Sequence, residues 1–420
     1  MTALLLALAV TIPPKLTLDQ AMAIAFRSST ALARAAAQTR QSEAVAEQAR
    51  STLLPQLSLS ASNAGQTVNL RTFGFSFPGL PARVGPFQTI DARASVSYTV
   101  LSPTARTRER AAREQAAVSV SLAVAAHEAL AFQVATFFHQ ALRVQSVIAT
   151  IGRQAELANQ LHRITEDRVA LGASSKLDAT RSRQQVLVLE QAIVDARHTL
   201  TSAKLQLAHL IHATPTADYE LVADPTESTT IGEPSERPEL RALTQALRAA
   251  ELRVKAARDQ RLPTASLTAN YGQSGRAWND NLNTFRVGGQ ITIPVYTGGR
   301  IQADVAEAQA RVDEIGAQVE ELRSSIEAEV LAARSAHESA RAQLGTLRQL
   351  SSLAREELDL ATERFKGGVA DNTEVINAQD RLARAEDNAV RGEFAVDIAR
   401  AQLARALGVA EKTYRTGGTR

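Results

Sequence analysis

The sequence predicts a mainly α-helical chain built as a tandem repeat, with long α-helical hairpins and one β-hairpin in each half. Three observations carry that prediction: an internal register held over long stretches, four strands of alternating polarity, and two proline-free segments far longer than an ordinary globular helix. Shifting the chain by 208 pairs Glu43 with Glu251, Arg50 with Arg258, and Leu54, Pro55, Ser58 and Leu59 with Leu262, Pro263, Ser266 and Leu267. Shifting by 196 pairs Arg168, Gly172, Glu190, Val194 and Gln206 with Arg364, Gly368, Glu386, Val390 and Gln402. A period near 200 residues marks a duplicated unit. The difference between the two offsets assigns about 12 extra residues to the loop Gly65 to Gln88 of the first hairpin.

Composition agrees with long packed helices rather than one thick core: 45% of the residues are hydrophobic but only 4% aromatic. The net charge of +3 is small for 420 residues, and Arg and Glu alternate along the helices, which gives solvated faces and no nucleic-acid patch. The absence of cysteine excludes disulfides and thiolate metal sites.

Residues 1–16 read as a signal peptide or an ordinary apolar N-terminus. Ala3 to Val10 is apolar and Ala7 and Ala9 are spaced like a cleavage site, but no Lys or Arg precedes the run. Repeat 1 then spans 17–212. Thr17 with Gln20 forms a capping pattern that opens a helix running to Leu54. Two strands follow at 55–65 and 89–101, a long helix at 103–170 and a return helix at 175–212. Residues 213–239, rich in Pro, Ser, Thr and acidic side chains, read as a surface linker. Repeat 2, 240–409, has strands at 263–272 and 285–296, a long helix at 299–366 and a return helix at 372–408, before a tail at 410–420.

Each strand has one apolar and one polar face. Leu57, Leu59 and Ala61 alternate with Ser58, Ser60 and Ser62, and Ala92, Ala94, Val96 and Tyr98 alternate with Asp91, Arg93, Ser95 and Ser97. No uninterrupted apolar run of 18 residues occurs, so contact with a membrane core falls to these strands. Their length, about 9 to 11 residues, is that of a transmembrane barrel strand. Four strands cannot close a barrel, whereas three chains supply twelve, which leaves a lumen lined by the polar faces.

The long helices run for roughly 65 residues, about 100 Å at 1.5 Å per residue. In the second, Ala308, Val312, Ile315, Val319, Leu322 and Ile326 step by four and three as a heptad seam. Both helices meet glycine turns, Leu171-Gly172-Ala173 and Gly367-Gly368-Val369, suited to a left-handed cap. Ser175 with Asp178 and Asp371 with Glu374 restart the chain.

In this order, the Leu54-Pro55 and Leu262-Pro263 steps, the Pro294-to-Arg300 exit and the turns Arg168 to Gly172 and Arg364 to Gly368 resemble the TolC-like outer-membrane efflux proteins. The resemblance covers nearly the whole chain. It implies a homotrimer with a twelve-stranded β-barrel in outer-membrane lipid and an α-barrel tunnel through the periplasm. The implied function is the exit duct of a tripartite efflux pump, passive and without cofactor. The implied partners are a periplasmic adaptor protein and an inner-membrane transporter, either proton-driven of the resistance type or an ABC transporter. The adaptor-docking tip and gate would be Leu171, Gly172, Ala173 and Ser174 with Gly367, Gly368, Val369 and Ala370. Family members place two acidic residues one turn past the second glycine turn; the matching positions are Glu374 and Asn377, so only one carboxylate remains. The Asp371 capping pattern explains Glu374 equally well, and the position of the family's further acidic gate residue holds Arg163.

Two other functions fit the same pattern: a type I protein-secretion duct, and a soluble coiled-coil scaffold. Catalysis is not expected. Gly272-Gln273-Ser274-Gly275 is one residue short of a nucleophile elbow, and His209 and His212 have no third metal ligand nearby. Phe73, Phe75, Phe77 and Trp278 are candidates for an aromatic band or a self-packed loop at the hairpin tips.

Overall fold

The computed structural model describes residues 11–74, 81–223, 231–277 and 279–414. Ala3 to Val10, Phe75, Phe77, Trp278 and the ring of Phe73 lie outside the described residues. The first half contains β1 (Lys15–Leu16), α1 (Leu18–Ser28), α2 (Thr30–Ser51), β2 (Gln56–Asn69), β3 (Arg83–Leu101), α3 (Pro103–Ala170) and α4 (Lys176–Leu210). After β4 (Glu220–Leu221) come α5 (Pro238–Asp259), β5 (Thr264–Gly275), β6 (Asn281–Thr292), α6 (Arg300–Lys366), α7 (Asn372–Ala406) and α8 (Ala410–Tyr414). The chain divides into two compact units. One comprises Met1–Ala36, Ser121–Arg241 and Glu321–Arg420, the other Ala37–Val120 and Ala242–Glu320.

The second unit holds a four-stranded antiparallel sheet of order β2-β3-β5-β6. Its register aligns the polarity of all four strands. Leu59 faces Ala94, Ala94 faces Tyr271 and Tyr271 faces Phe285, while Ser58, Ser95, Asn270 and Arg286 make the adjacent row. Consecutive side chains point to opposite faces, so one face is apolar through the rows of Leu57 and Leu59, giving way to Gln273, Asn283 and Asn63 toward the hairpin turns, and the other is mostly polar. The apolar face is bare: Leu59 is 81% and Phe285 77% exposed. On the polar face Arg93 pairs with Asp91 and donates to the Asn270 amide oxygen at 3.2 Å. A Cβ on Gly272 would lie 2.4 Å from the Arg93 Cβ, so only glycine allows this approach.

The strands depart from the expected bounds. Pairing in the first hairpin continues past Gly65, through an irregularity between Gln66 and Val68, to Asn69 opposite Arg83. Part of the additional length therefore extends the strands into the expected loop Gly65 to Gln88, and the rest lies between Asn69 and Arg83. In the second hairpin both strands lie nearer the turn than expected, and β6 stops at Thr292, before the donor-less Pro294.

The first unit is helical, with a core around Met22, Val134, Phe138, Leu207, Ile211 and Val409, all at most 1% exposed. Each large aliphatic or aromatic side chain buried this way contributes about 1.5–3 kcal/mol. Among the described helices, α3 alone is long and apolar enough by composition to cross a membrane. It supplies Leu130, Ala131, Val134, Ala135 and Phe138 to this core, while Val120, Leu122 and Val124 on the same helix stay exposed. The expected single opening helix breaks at Ser29, which leaves the helical region at ψ 117°. There the Ser28 hydroxyl donates to the Ile211 carbonyl at 2.6 Å and Ser29 Oγ accepts from the Leu32 N–H.

The first part of the expected surface linker, through Leu221, is part of this core. β4 pairs in parallel with β1, burying Tyr219 and Leu221. The Gln145 side chain meets both backbone groups of Leu221, at 2.8 and 3.2 Å, as a neighbouring strand would. Tyr219 Oη donates to the Lys204 carbonyl at 2.7 Å, and Lys204 Nζ returns a bond to the Tyr219 carbonyl.

At the other margin of this core, Glu128 accepts the Glu411 N–H at 3.2 Å, at the start of α8. Burial pushes the Glu128 carboxyl up from its usual range; the N–H groups of Glu411 and Ala410 oppose this and the Glu411 and Glu239 charges reinforce it. The folded protein thus holds this proton more tightly than the unfolded chain, and stability falls as pH rises from the unfolded carboxylate value through the raised one. Glu128→Gln, which cannot ionise, should match the parent near pH 4 and exceed it in denaturant resistance near pH 8. A variant weaker than the parent at pH 8 would mean that the charged cap of α8 outweighs its desolvation.

Candidate functional site

The two glycine turns form as the sequence requires, and they close with the same pair of backbone bonds. Gly172 and Gly368 have φ of 72° and 77°, the left-handed region that glycine occupies without a Cβ penalty. In the first turn Ala173 N–H donates to the Arg168 carbonyl at 2.8 Å and Gly172 N–H to Val169 at 3.1 Å. In the second, Val369 N–H donates to Arg364 at 2.9 Å and Gly368 N–H to Phe365 at 3.0 Å. Each pair satisfies carbonyls that a helix end otherwise leaves orphaned, in the Schellman pattern. A Cβ at Gly172 meets nothing within 4 Å, so a substitution there would be strained by dihedral angle and not by contact.

Beyond the turns the four helix ends pack together within the first unit. Leu161 of α3, Leu358 and Phe365 of α6, and Val375 and Leu382 of α7 form a continuous apolar cluster. α4 begins with a complete capping box: Ser175 Oγ accepts the Asp178 N–H and Asp178 accepts the Ser175 N–H, both at 3.1 Å. The Ser175 hydroxyl is the main reason that Asp178 ionises below its usual range. Leu171 and Val369 remain outside the cluster, 82% and 74% exposed.

At α7 the expected box is only half formed. Asp371 accepts the Glu374 N–H at 3.0 Å, but the Glu374 carboxylate turns instead to Arg364, with Nε 3.2 Å away. Asn377 is exposed one turn later, and Arg163 is exposed on α3. Arg364 and Arg168 occupy equivalent places in the two repeats yet do different work. Arg168 lies 4.5 Å over the Phe365 ring and donates to the Phe365 carbonyl, joining the two hairpins.

Sequence reading passed over Asn372. It is 1% exposed, donates to the Asp178 carbonyl at 3.0 Å and sits 3.5 Å from Thr165 Oγ1, so one side chain links α7 to α3 and α4. Asn372 adjoins a cap and breaks no pattern, so nothing local signals it; in the repeat register its counterpart is Lys176. Gln185, 2.8 Å from Asp380, adds a second link between α4 and α7.

The family model described as "Outer membrane efflux protein" matches residues 23–211 and 234–409, both repeats and most of the chain. The chain belongs to the outer membrane efflux protein family. It is a mainly helical, outer-membrane transport protein with a tandem repeat. Among its relatives, the outer membrane efflux protein BepC of Brucella suis is 24% identical over 287 residues, 66% of this chain and 62% of BepC. The pyoverdine export outer membrane protein OpmQ of Pseudomonas aeruginosa is 26% identical over 416 residues, 95% of this chain and 86% of OpmQ. The crystal structure of the outer membrane protein VceC from Vibrio cholerae shares the fold, with a TM-score of 0.83 at 21% identity over 93% of this chain and 96% of VceC.

Asn372→Ala removes the amide that joins three helix ends and should cost about 1–3 kcal/mol. Limited proteolysis should then cut at the Leu171 and Val369 turns faster than in the parent. Unchanged cutting and stability would show the amide to be incidental to tip packing.

Proposed function

We propose that three copies of the chain close their sheets into a twelve-stranded barrel and serve as the passive exit duct of a tripartite efflux pump. The observation that carries this reading is the register of the sheet: a face that is apolar and largely exposed through the rows of Leu57 and Leu59, an opposite face mostly polar, and two unpaired edges, β2 and β6. Such a sheet cannot stand in lipid alone, and closure by further copies satisfies its edges.

The helix turns are the adaptor-facing gate. Leu171 to Ser174 and Gly367 to Ala370 present two exposed apolar points, Leu171 and Val369, on backbone that Schellman bonds hold in place. Such points suit a hydrophobic contact with the periplasmic adaptor, which in turn engages a proton-driven or ABC transporter of the inner membrane. Because Arg364 compensates Glu374 and Asn377 carries no charge, the entrance is not a bare anionic ring. The pyoverdine export named for OpmQ supports small-molecule cargo over an unfolded polypeptide.

Two experiments bear on this reading. Fractionated membranes run unheated on a denaturing gel should show a species near three times the 45.0 kDa chain that collapses on boiling; soluble monomer would support the scaffold alternative instead. Gly172→Val and Gly368→Val place β-branched residues at left-handed φ, which strains each turn by about 1–3 kcal/mol. They should reduce efflux with adaptor and transporter present while heat-sensitive trimers form normally. Full efflux from both variants would remove the gate from these turns.

A further inference from the structure

The charges of the two hairpins are one-sided. From Gln56 to Leu101 and from Thr264 to Thr292 there are five arginines and two aspartates, with no lysine or glutamate. Most of these lie near the hairpin turns; within the polar face itself only Asp91, Arg93 and Arg286 are charged below the turns. Asp91 and Arg93 neutralise each other. Arg286 stands exposed in the same face, and among the described residues no hydrogen bond or ion pair reaches it.

Its neighbours explain why. Asn270, directly across the strand pair, gives its amide oxygen to Arg93. The nearest carboxylate along its own strand, Asp280, precedes β6 by one residue and is six residues from Arg286, about 20 Å at strand rise. The remaining neighbour is whatever pairs with the open β6 edge. On the duct reading that is β2 of the next copy, and β2, Gln56–Asn69, contains no charged residue at all. Closure therefore leaves Arg286 uncompensated.

We propose that Arg286 is a specificity-determining residue of the barrel: three copies form a cationic ring in the lumen that favours small anionic cargo, bearing carboxylate, phosphate or sulfonate groups, over cations. The proposal rests on the trimeric duct reading. Guanidinium presents a planar fork of donors suited to such oxyanions, and a ring of like charge in a channel bounded by a low-dielectric wall raises the local concentration of counter-ions. Since the groups are solvated, salt screens them; the effect is strong near 0.1 M, where the Debye length is about 10 Å, and weak near 1 M, where it is about 3 Å.

The test is the reversal potential of purified full-length trimers in planar bilayers under a potassium chloride gradient. Near 0.1 M, Arg286→Gln should lower the chloride-to-potassium permeability ratio by about twofold or more. Arg286→Lys should keep the parental ratio. Asp91→Asn, which frees Arg93, should raise it, and all the differences should shrink near 1 M. Conducting Arg286→Gln trimers with the parental reversal potential would overturn the ring while leaving the duct intact. A parent that forms no conducting trimer would overturn the duct and the ring with it.

Discussion

Backbone hydrogen bonding in a medium without water is the constraint on which the rest of this structure depends. An unpaired N–H or C=O in the hydrocarbon region costs several kilocalories per mole, so a sheet there must have no open edge. The four strands of this chain pair fully among themselves but leave β2 and β6 open, with an apolar face too extensive for exposure to water. Both deficits have one remedy, addition of identical sheets. In the proposed trimer the lumen, the symmetric helix bundle and the repetition of any single side chain as a ring would all follow from it.

Duplication supplies the strands economically, but the two halves are not used alike. Arg168 and Arg364 end their helices with the same backbone bonds, yet one stacks on Phe365 while the other neutralises Glu374. The repeat thus fixes the backbone of both turns, and the side chains then specialise. A similar division occurs in the linker. Its sequence is that of a loop, and the segment around Glu220–Leu221 is nonetheless drawn into the core by Gln145, Lys204 and a two-residue strand pairing. The hydrogen bonds that hold it come from residues far apart in sequence.

That distinction sets what could be read from the sequence. Strand alternation, proline-free helix length, the glycine turns and the Ser175 capping box are local patterns governed by backbone geometry, and each was legible. The Ser29 break, the pairing of β1 with β4 and the linking role of Asn372 depend on partners up to about 200 residues away, and no periodicity reports them. Glu374 shows the limit most clearly. Its spacing from Asp371 satisfies the capping pattern, and the same side chain is also within reach of Arg364 across the turn. A charged partner on a neighbouring helix offers a stronger bond than a backbone N–H, and the tertiary contact prevails.

Selectivity in such a duct can reside only where a charge is left without a counter-charge. A carboxylate beside a guanidinium presents little net field beyond its immediate surroundings, so Glu374 with Arg364 and Asp91 with Arg93 are each poor filters. A charge governs passing ions only if neither its own chain nor the copy beside it brings a counter-charge. Arg286 meets that condition because its cross-strand partner is Asn270 and the strand available to its open edge is uncharged. Composition gives no hint of this, since Arg286 is one of 47 basic residues. It is separated from the others by its register in the sheet, which places it on the polar face and withholds every nearby carboxylate.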